Sequence, residues 1–407
     1  MSSMSRRDFS GSLLAGALVP PAATPHQYAV VGAGVFGAWT AHYLQRAGHK
    51  VTLIDEYGPA SSRASSGGES RIIRCAYGPD EVYTRMAKRS LGLWSDFFAQ
   101  THRDLLHRIG VLWFANPGNE YAEQSRETLR KVQVPFRDLS FAELQRTYQQ
   151  IHLPHGTVAI FEPDSGALMA REAVQAVVAD FVQHGGTYRH AAVRTPAGKG
   201  SLDAIQISHA DSISADAFVF ACGPWLGKVF PELLGNRIFP TRQEVIFFGI
   251  PPGNDRFAPP QMPVWIDFSD NRGMYGFPDL ETRGFKVAFD LHGPAFDPDS
   301  SNRIVSPEKV TAARAYVAER FAALAHSPVV DSRVCQYENT SNGDFILDRH
   351  PGFENVWIAG GGSGHGFKHG PAVGEYMAAR VTGSATPPVE PRFSLASKGA
   401  QQHRSVY

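Results

Sequence analysis

Apolar positions along the chain alternate between short continuous runs and helical stripes. Tyr28 to Val31 is a short apolar run followed by GAGVFG. In AWTAHYLQRAG, Ala38, Ala41, Leu44 and Ala47 share helical spacing, and Gly48 provides a stop. KVTLID, Lys50 to Asp55, reads as a second buried strand. The three pieces predict a β-α-β unit. SSRASSGGES then has no apolar period, and loops of that kind serve a ligand or stay disordered. Glu81 to Gln100 reads as a helix, GVLWFA as a strand, and Gly166 to Gly186 as one amphipathic helix. DAFVFACGPW is a buried strand ending in a Gly-Pro turn. Ile238 to Phe296, rich in Pro, Gly and aromatics, predicts an antiparallel sheet, and Pro307 to Ala325 a helix. NVWIAGGGSGHGFKHGPAVGEYMAARV reads as strand, glycine turn and helix, and the polar stretch after Pro388 as a disordered tail.

Gly32, Gly34 and Gly37 form G-x-G-x-x-G between a strand and a helix. The first allows the tight turn, the second lets backbone approach a pyrophosphate, and the third allows close helix–strand packing. The helix N-terminus favours the anion. Asp55 ends the next strand, where a carboxylate can accept ribose hydroxyls. The fingerprint alone fits NAD or FAD. The polar loop interrupts the usual βαβ series and a second glycine-rich turn comes much later, which points to FAD held by distant segments.

Composition narrows the rest. With 407 residues, two joined domains are expected. An apolar fraction of 43% and a charged fraction of 19% are those of a globular protein. Lys plus Arg equals Asp plus Glu at 39 each, so nothing electrostatic points to nucleic acid. Three widely spaced cysteines, Cys75, Cys222 and Cys335, suggest neither a disulfide framework nor a metal site. The N-terminus reads SRRDF, GSLLAGALVP, PAATP, which resembles a twin-arginine export signal and implies a periplasmic or exported enzyme, cytoplasmic otherwise. Its apolar stretch is too short for a membrane span.

GAGVFG, SSGGESRIIRCAYG, YGFPDLETRGFK, CQYENTSNGDFILDRHP and GGGSGHGFKHGPAVGE occur in this order. Together they resemble the monomeric sarcosine oxidase and N-methyltryptophan oxidase group of the D-amino acid oxidase-like flavoproteins. The resemblance runs from Tyr28 to about Val381. It implies a mixed α/β, two-domain (α+β) fold: a Rossmann-like FAD-binding domain and a substrate domain built on an antiparallel sheet. The expected segments are 1–26 (signal), 27–100, 161–236 and 329–387 (FAD-binding), 101–160 and 237–328 (substrate), and 388–407 (tail). A monomer acting on a small amine or amino acid with O2 is implied.

The resemblance also implies site residues. Cys335 matches the cysteine bonded to the flavin 8α carbon, and a thiolate is the reactive form. Arg71 would lie near the flavin ring. Arg74 and Lys368 would bind a substrate carboxylate, a task suited to a planar guanidinium. Lys286 matches the oxygen-activating lysine, and Tyr275 and Tyr337 would face the substrate. Cofactor contacts are expected from Gly32, Gly34, Val35, Phe36, Gly37, Asp55, Ser70, Arg71, Val193, Cys335, Gly364, His365, Gly366 and Lys368. No metal is expected. Read without the resemblance, these arginines and lysines are ordinary surface cations and Cys335 a buried small hydrophobe.

Three positions depart from the sarcosine oxidases. Asp290 stands where they carry a histidine, with His292 two residues on, and Ser66 and Gly67 replace histidines. These changes put sarcosine itself in doubt and open the site to larger or cationic amino acids. Rival readings are a dehydrogenase of the same fold that passes electrons to a quinone or protein, and a non-catalytic flavin-binding protein.

Overall fold

The computed structural model describes residues 25–270 and 272–402, so the expected export signal lies outside the described residues apart from its last two positions. The β-α-β unit forms as the pattern predicts: β1 (Gln27–Val31), α1 (Val35–Arg46) and β2 (Lys50–Asp55). β1 is buried on both faces, which parallel pairing under helices requires. It sits at the centre of a six-stranded sheet, pairing parallel with β2 on one side and Ala217–Phe220 on the other. Val356–Gly360 extends the sheet in parallel, and Ile346–Arg349 closes that edge antiparallel.

An eight-stranded sheet forms the second layer, built around Phe239–Phe248, Met274–Phe277 and Phe285–Phe289. Its aromatic positions pack under the helix Pro307–Arg320 through Trp265, Phe285, Tyr316 and Phe321. The strand Val329–Asn339 belongs to this sheet, pairing antiparallel with Phe239–Phe248 over nearly its whole length. The sequence expectation places residues 329–387 with the FAD-binding segments. The chain enters the six-stranded sheet only at Ile346, so Cys335 lies on a strand of the eight-stranded sheet.

A small third sheet joins the layers: β3 (Ser70–Ile73), Gly166–Met169 and Leu106–His107. The expected single helix from Gly166 therefore begins only at Ala170. Gly166 packs so closely on His107 that a side chain there would overlap its carbonyl oxygen, and the following residues pair with β3 instead of coiling. The tail departs from expectation as well. Phe393 and Leu395 are buried, and Arg392 binds both oxygens of Asp80 at 2.7 Å and Asp344 at 2.7 Å. Asp80 also caps α2 (Glu81–Thr101), so the tail is anchored to a helix start. Among the described residues no helix is long and apolar enough to cross a membrane.

Candidate active site

A cavity of about 660 Å³ opens between the two layers, within the range of cofactor sites. Its wall includes Gly32, Gly34, Val35 and Phe36 of the glycine loop and helix start, together with Arg71, Cys335, Tyr337, Gly364 and Gly366. Gly32 has a φ of +103°, and a Cβ there would overlap the Ala221 carbonyl. A Cβ on Gly37 would overlap Gly32. Gly34 begins α1 with no side chain of its own to cap it; Ser66 takes the Val35 N–H, and the helix end beyond it suits an anion. Val193 lines the same cavity.

Asp55 is a wall residue there and also braces the glycine loop. Its carboxylate accepts the N–H of Ala33 at 2.7 Å and those of Tyr57 and Gly58 at 2.8 Å. Burial nonetheless pushes its carboxyl up. Glu56 lies beside it on the wall. Ser66, one of the departures, accepts the Val35 N–H at 3.1 Å and so engages the start of α1. The donors, glycine cradle and volume fit FAD.

Arg71 donates to Ser65 O at 2.7 Å, Ser70 O at 2.8 Å and Cys335 Sγ at 3.2 Å. The guanidinium thus holds the thiol from the loop side. Lys286 is 2% exposed and donates to Ser70 O at 3.0 Å and Ser70 Oγ at 3.1 Å. Its Nζ lies 4.5 Å from the Phe277 ring centroid. Burial, and then the charge of Arg71, pushes its pKa down to about 7. Ser70 does not line the cavity; it holds the lysine instead.

A second cavity of about 70 Å³ adjoins the first, and the two share Arg71, Tyr337, Gly364 and Phe367. Arg74, Tyr275, Asp290, His365 and Lys368 line the smaller one, with an apolar wall from Trp113, Ile266, Phe268, Met274 and Phe277. The structure therefore brings Arg74 and Lys368 into one pocket beside the first cavity, whereas Lys286 sits behind Ser70. Arg74 is caged between the rings of Tyr77 at 4.1 Å and Trp113 at 4.8 Å, and donates to Ala76 O. Lys368 donates to Tyr77 Oη and His365 O, both at 2.9 Å. Burial, and then Arg74, pushes Lys368 well below the ordinary lysine value. Such mutual repulsion favours an anion in the pocket.

Sequence reasoning missed the supports of this cage. Glu162, fully buried, accepts the N–H of Cys75 at 2.7 Å and of Ala76 at 3.1 Å, and Trp113 Nε1 at 2.9 Å. It fixes the backbone after Arg74 and the indole beside it. Tyr77 Oη also meets His369 Nε2 at 2.7 Å. Burial, and then Lys368, holds His369 and His365 well below their ordinary value. The FEPDSGAL segment around Glu162 was a visible signal, since an acidic residue inside an apolar strand must find donors.

Residues 27–380 match the family described as FAD dependent oxidoreductase. The chain belongs to this family. It is 32% identical to a monomeric sarcosine oxidase of Bacillus sp. (strain B-0618), over 86% of this chain and 90% of that one. It is 25% identical to an N-methyl-L-tryptophan oxidase of Yersinia pestis, over 90% and 98%. Among solved structures, L-proline dehydrogenase from P. horikoshii superposes with a TM-score of 0.78 at 20% identity, covering 91% of this chain and 97% of that one. NikD, an amino acid oxidase of nikkomycin biosynthesis, gives 0.75 at 19%, covering 93% and 99%. The chain is thus an FAD-dependent oxidoreductase with a two-domain flavoenzyme fold, as expected from sequence.

Proposed function

We propose that the protein oxidises the CH–NH bond of an amino acid or N-alkyl amino acid and passes the electrons to O2. The observation that carries this is the pocket itself: Arg74 and Lys368 line one wall beside the cofactor cavity. Bound FAD supplies hydride acceptance from the carbon beside nitrogen and delivery of the electron pair to O2. The chain's own groups do the rest. Arg74, oriented by the Tyr77–Trp113 cage, pairs with the substrate carboxylate. Lys368, positioned by Tyr77, completes the anion site. The apolar wall excludes water, which strengthens these charges. The imine product hydrolyses in water.

Lys286, held by Ser70 behind the cavity wall, would supply a cation near the negative charge that develops on O2. This favours an oxidase over a dehydrogenase of the same fold. Cys335 would hold the flavin through a thioether at its 8α carbon, and Arg71, 3.2 Å from the sulfur, would favour the thiolate. Thiol and methyl carbon together lose two electrons as that bond forms, and O2 takes them. The test is anaerobic addition of amino acids to the enzyme. Loss of flavin colour and its return in air support the reading. Colour unmoved by every amino acid and N-alkyl amino acid would leave only a flavin-binding protein.

A further inference from the structure

Glu338 follows the Cys335–Tyr337 stretch on the same strand, is 8% exposed, and lines the cofactor cavity. Its Oε1 accepts the Gly361 N–H and, at 3.3 Å, the Gly362 N–H. Among the described residues Oε2 has no hydrogen-bond partner. It points toward Gly223, another cavity-wall residue, where a Cβ would come within 2.9 Å of it. Gly223 follows Ala221 and Cys222, which pack on Gly32. Glu338 therefore lies along the cavity between the glycine loop and Cys335.

A buried carboxylate needs a cation, or else it becomes neutral. Among the described residues Glu338 makes no ion pair. The titratable group facing it is Cys222, whose thiol is pushed up by burial first and then by Asp55 and Glu338. Arg63, Lys228 and Asp299 stand elsewhere on the cavity wall, with Lys228 already bound to Asp299. FAD itself brings a doubly charged pyrophosphate and displaces water, and both effects favour the neutral acid further.

We propose that Glu338 binds FAD as a neutral carboxylic acid, donating from Oε2 to an oxygen of the cofactor's central linker. Cofactor binding is then coupled to proton uptake at this residue. Burial already places the carboxyl at about 7, with the Gly361 and Gly362 N–H groups acting in the opposite direction. The sign follows. Affinity is full below that pH, and falls as pH rises toward the higher value in the complex.

The experiment uses the FAD-loaded Cys335→Ala protein, in which the flavin can exchange whatever the wild-type linkage is. A dilution series from about pH 6 to about pH 9, read by fluorescence of released FAD, gives Kd at each pH. Kd should be constant on the acid side and then weaken by up to about tenfold per pH unit, the limit for one proton. Adding Glu338→Gln, which keeps a neutral donor, should flatten the profile near the acid-side value. This comparison separates Glu338 from Lys286, which titrates in the same window. A flat profile in the parent overturns the proposal on its own. So does an unchanged pH dependence after Glu338→Gln, or a variant that does not hold FAD at acid pH.

Discussion

Tyr337 Oη donates to Asp290 Oδ1 at 3.2 Å. The bond joins the strand that carries Cys335 to the wall of the smaller cavity. Tyr275 lines the same cavity, and burial followed by Asp290 pushes it up to about 12. Asp290 thus lines the smaller cavity and is bound by a tyrosine that lines both cavities.

On the proposed function, Asp290 is expected to meet the end of the substrate away from its carboxylate, since it lines the same cavity as Arg74 and Lys368. Wild type should favour amino acids with a second cationic or donor group. Asp290→Asn should erase that preference by roughly tenfold or more, since a hydrogen bond to a charged group contributes about 1.5–3 kcal/mol. The ratio of kcat/KM for cationic and neutral amino acids measures it, and an unchanged ratio would remove Asp290 from substrate choice.

Arg74→Ala should raise KM for the amino acid by about 10-fold to 150-fold, the same energy expressed as affinity. Glu162→Gln should give a smaller rise with intact flavin binding, because Glu162 acts by holding the cage around Arg74. Steady-state kinetics on both variants would show it.

Lys286 should govern reaction with O2 and leave substrate oxidation nearly intact. Lys286→Met should slow reoxidation by roughly 100-fold, about 2.7 kcal/mol. The pH dependence follows from a lysine pushed down to about 7. The cation is present below that pH and lost as pH rises through it, so wild-type reoxidation should slow with rising pH while the Met variant stays flat. Rapid mixing of reduced enzyme with O2 decides this; slowed reduction with normal reoxidation would reverse the assignment.

Acid precipitation of the wild type should leave a yellow protein, and Cys335→Ala should release its flavin. A colourless wild-type precipitate would show that Cys335 stays a free thiol held by Arg71.

The β-α-β unit and glycine fingerprint were legible because their geometry demands particular residues at fixed spacing, as the overlap at Gly32 shows. Arg74 and Lys368 were legible only through family resemblance, since a lone cation carries no local signature. The strand Gly166–Met169 was hidden because ALM fits either period, and its fate was decided by pairing with β3. Glu162 and Glu338 were missed for a related reason. Their partners are backbone N–H groups far along the chain, and no periodicity encodes those contacts.

The most direct test of the account is peroxide yield with matched substrates: an N-methyl or primary amino acid and the amine that lacks only its carboxylate. The amino acid should consume O2 and give about one H2O2 per imine formed, and the decarboxylated amine should be turned over far more slowly. Equal turnover of the two, or amino acid oxidation without peroxide, would contradict it.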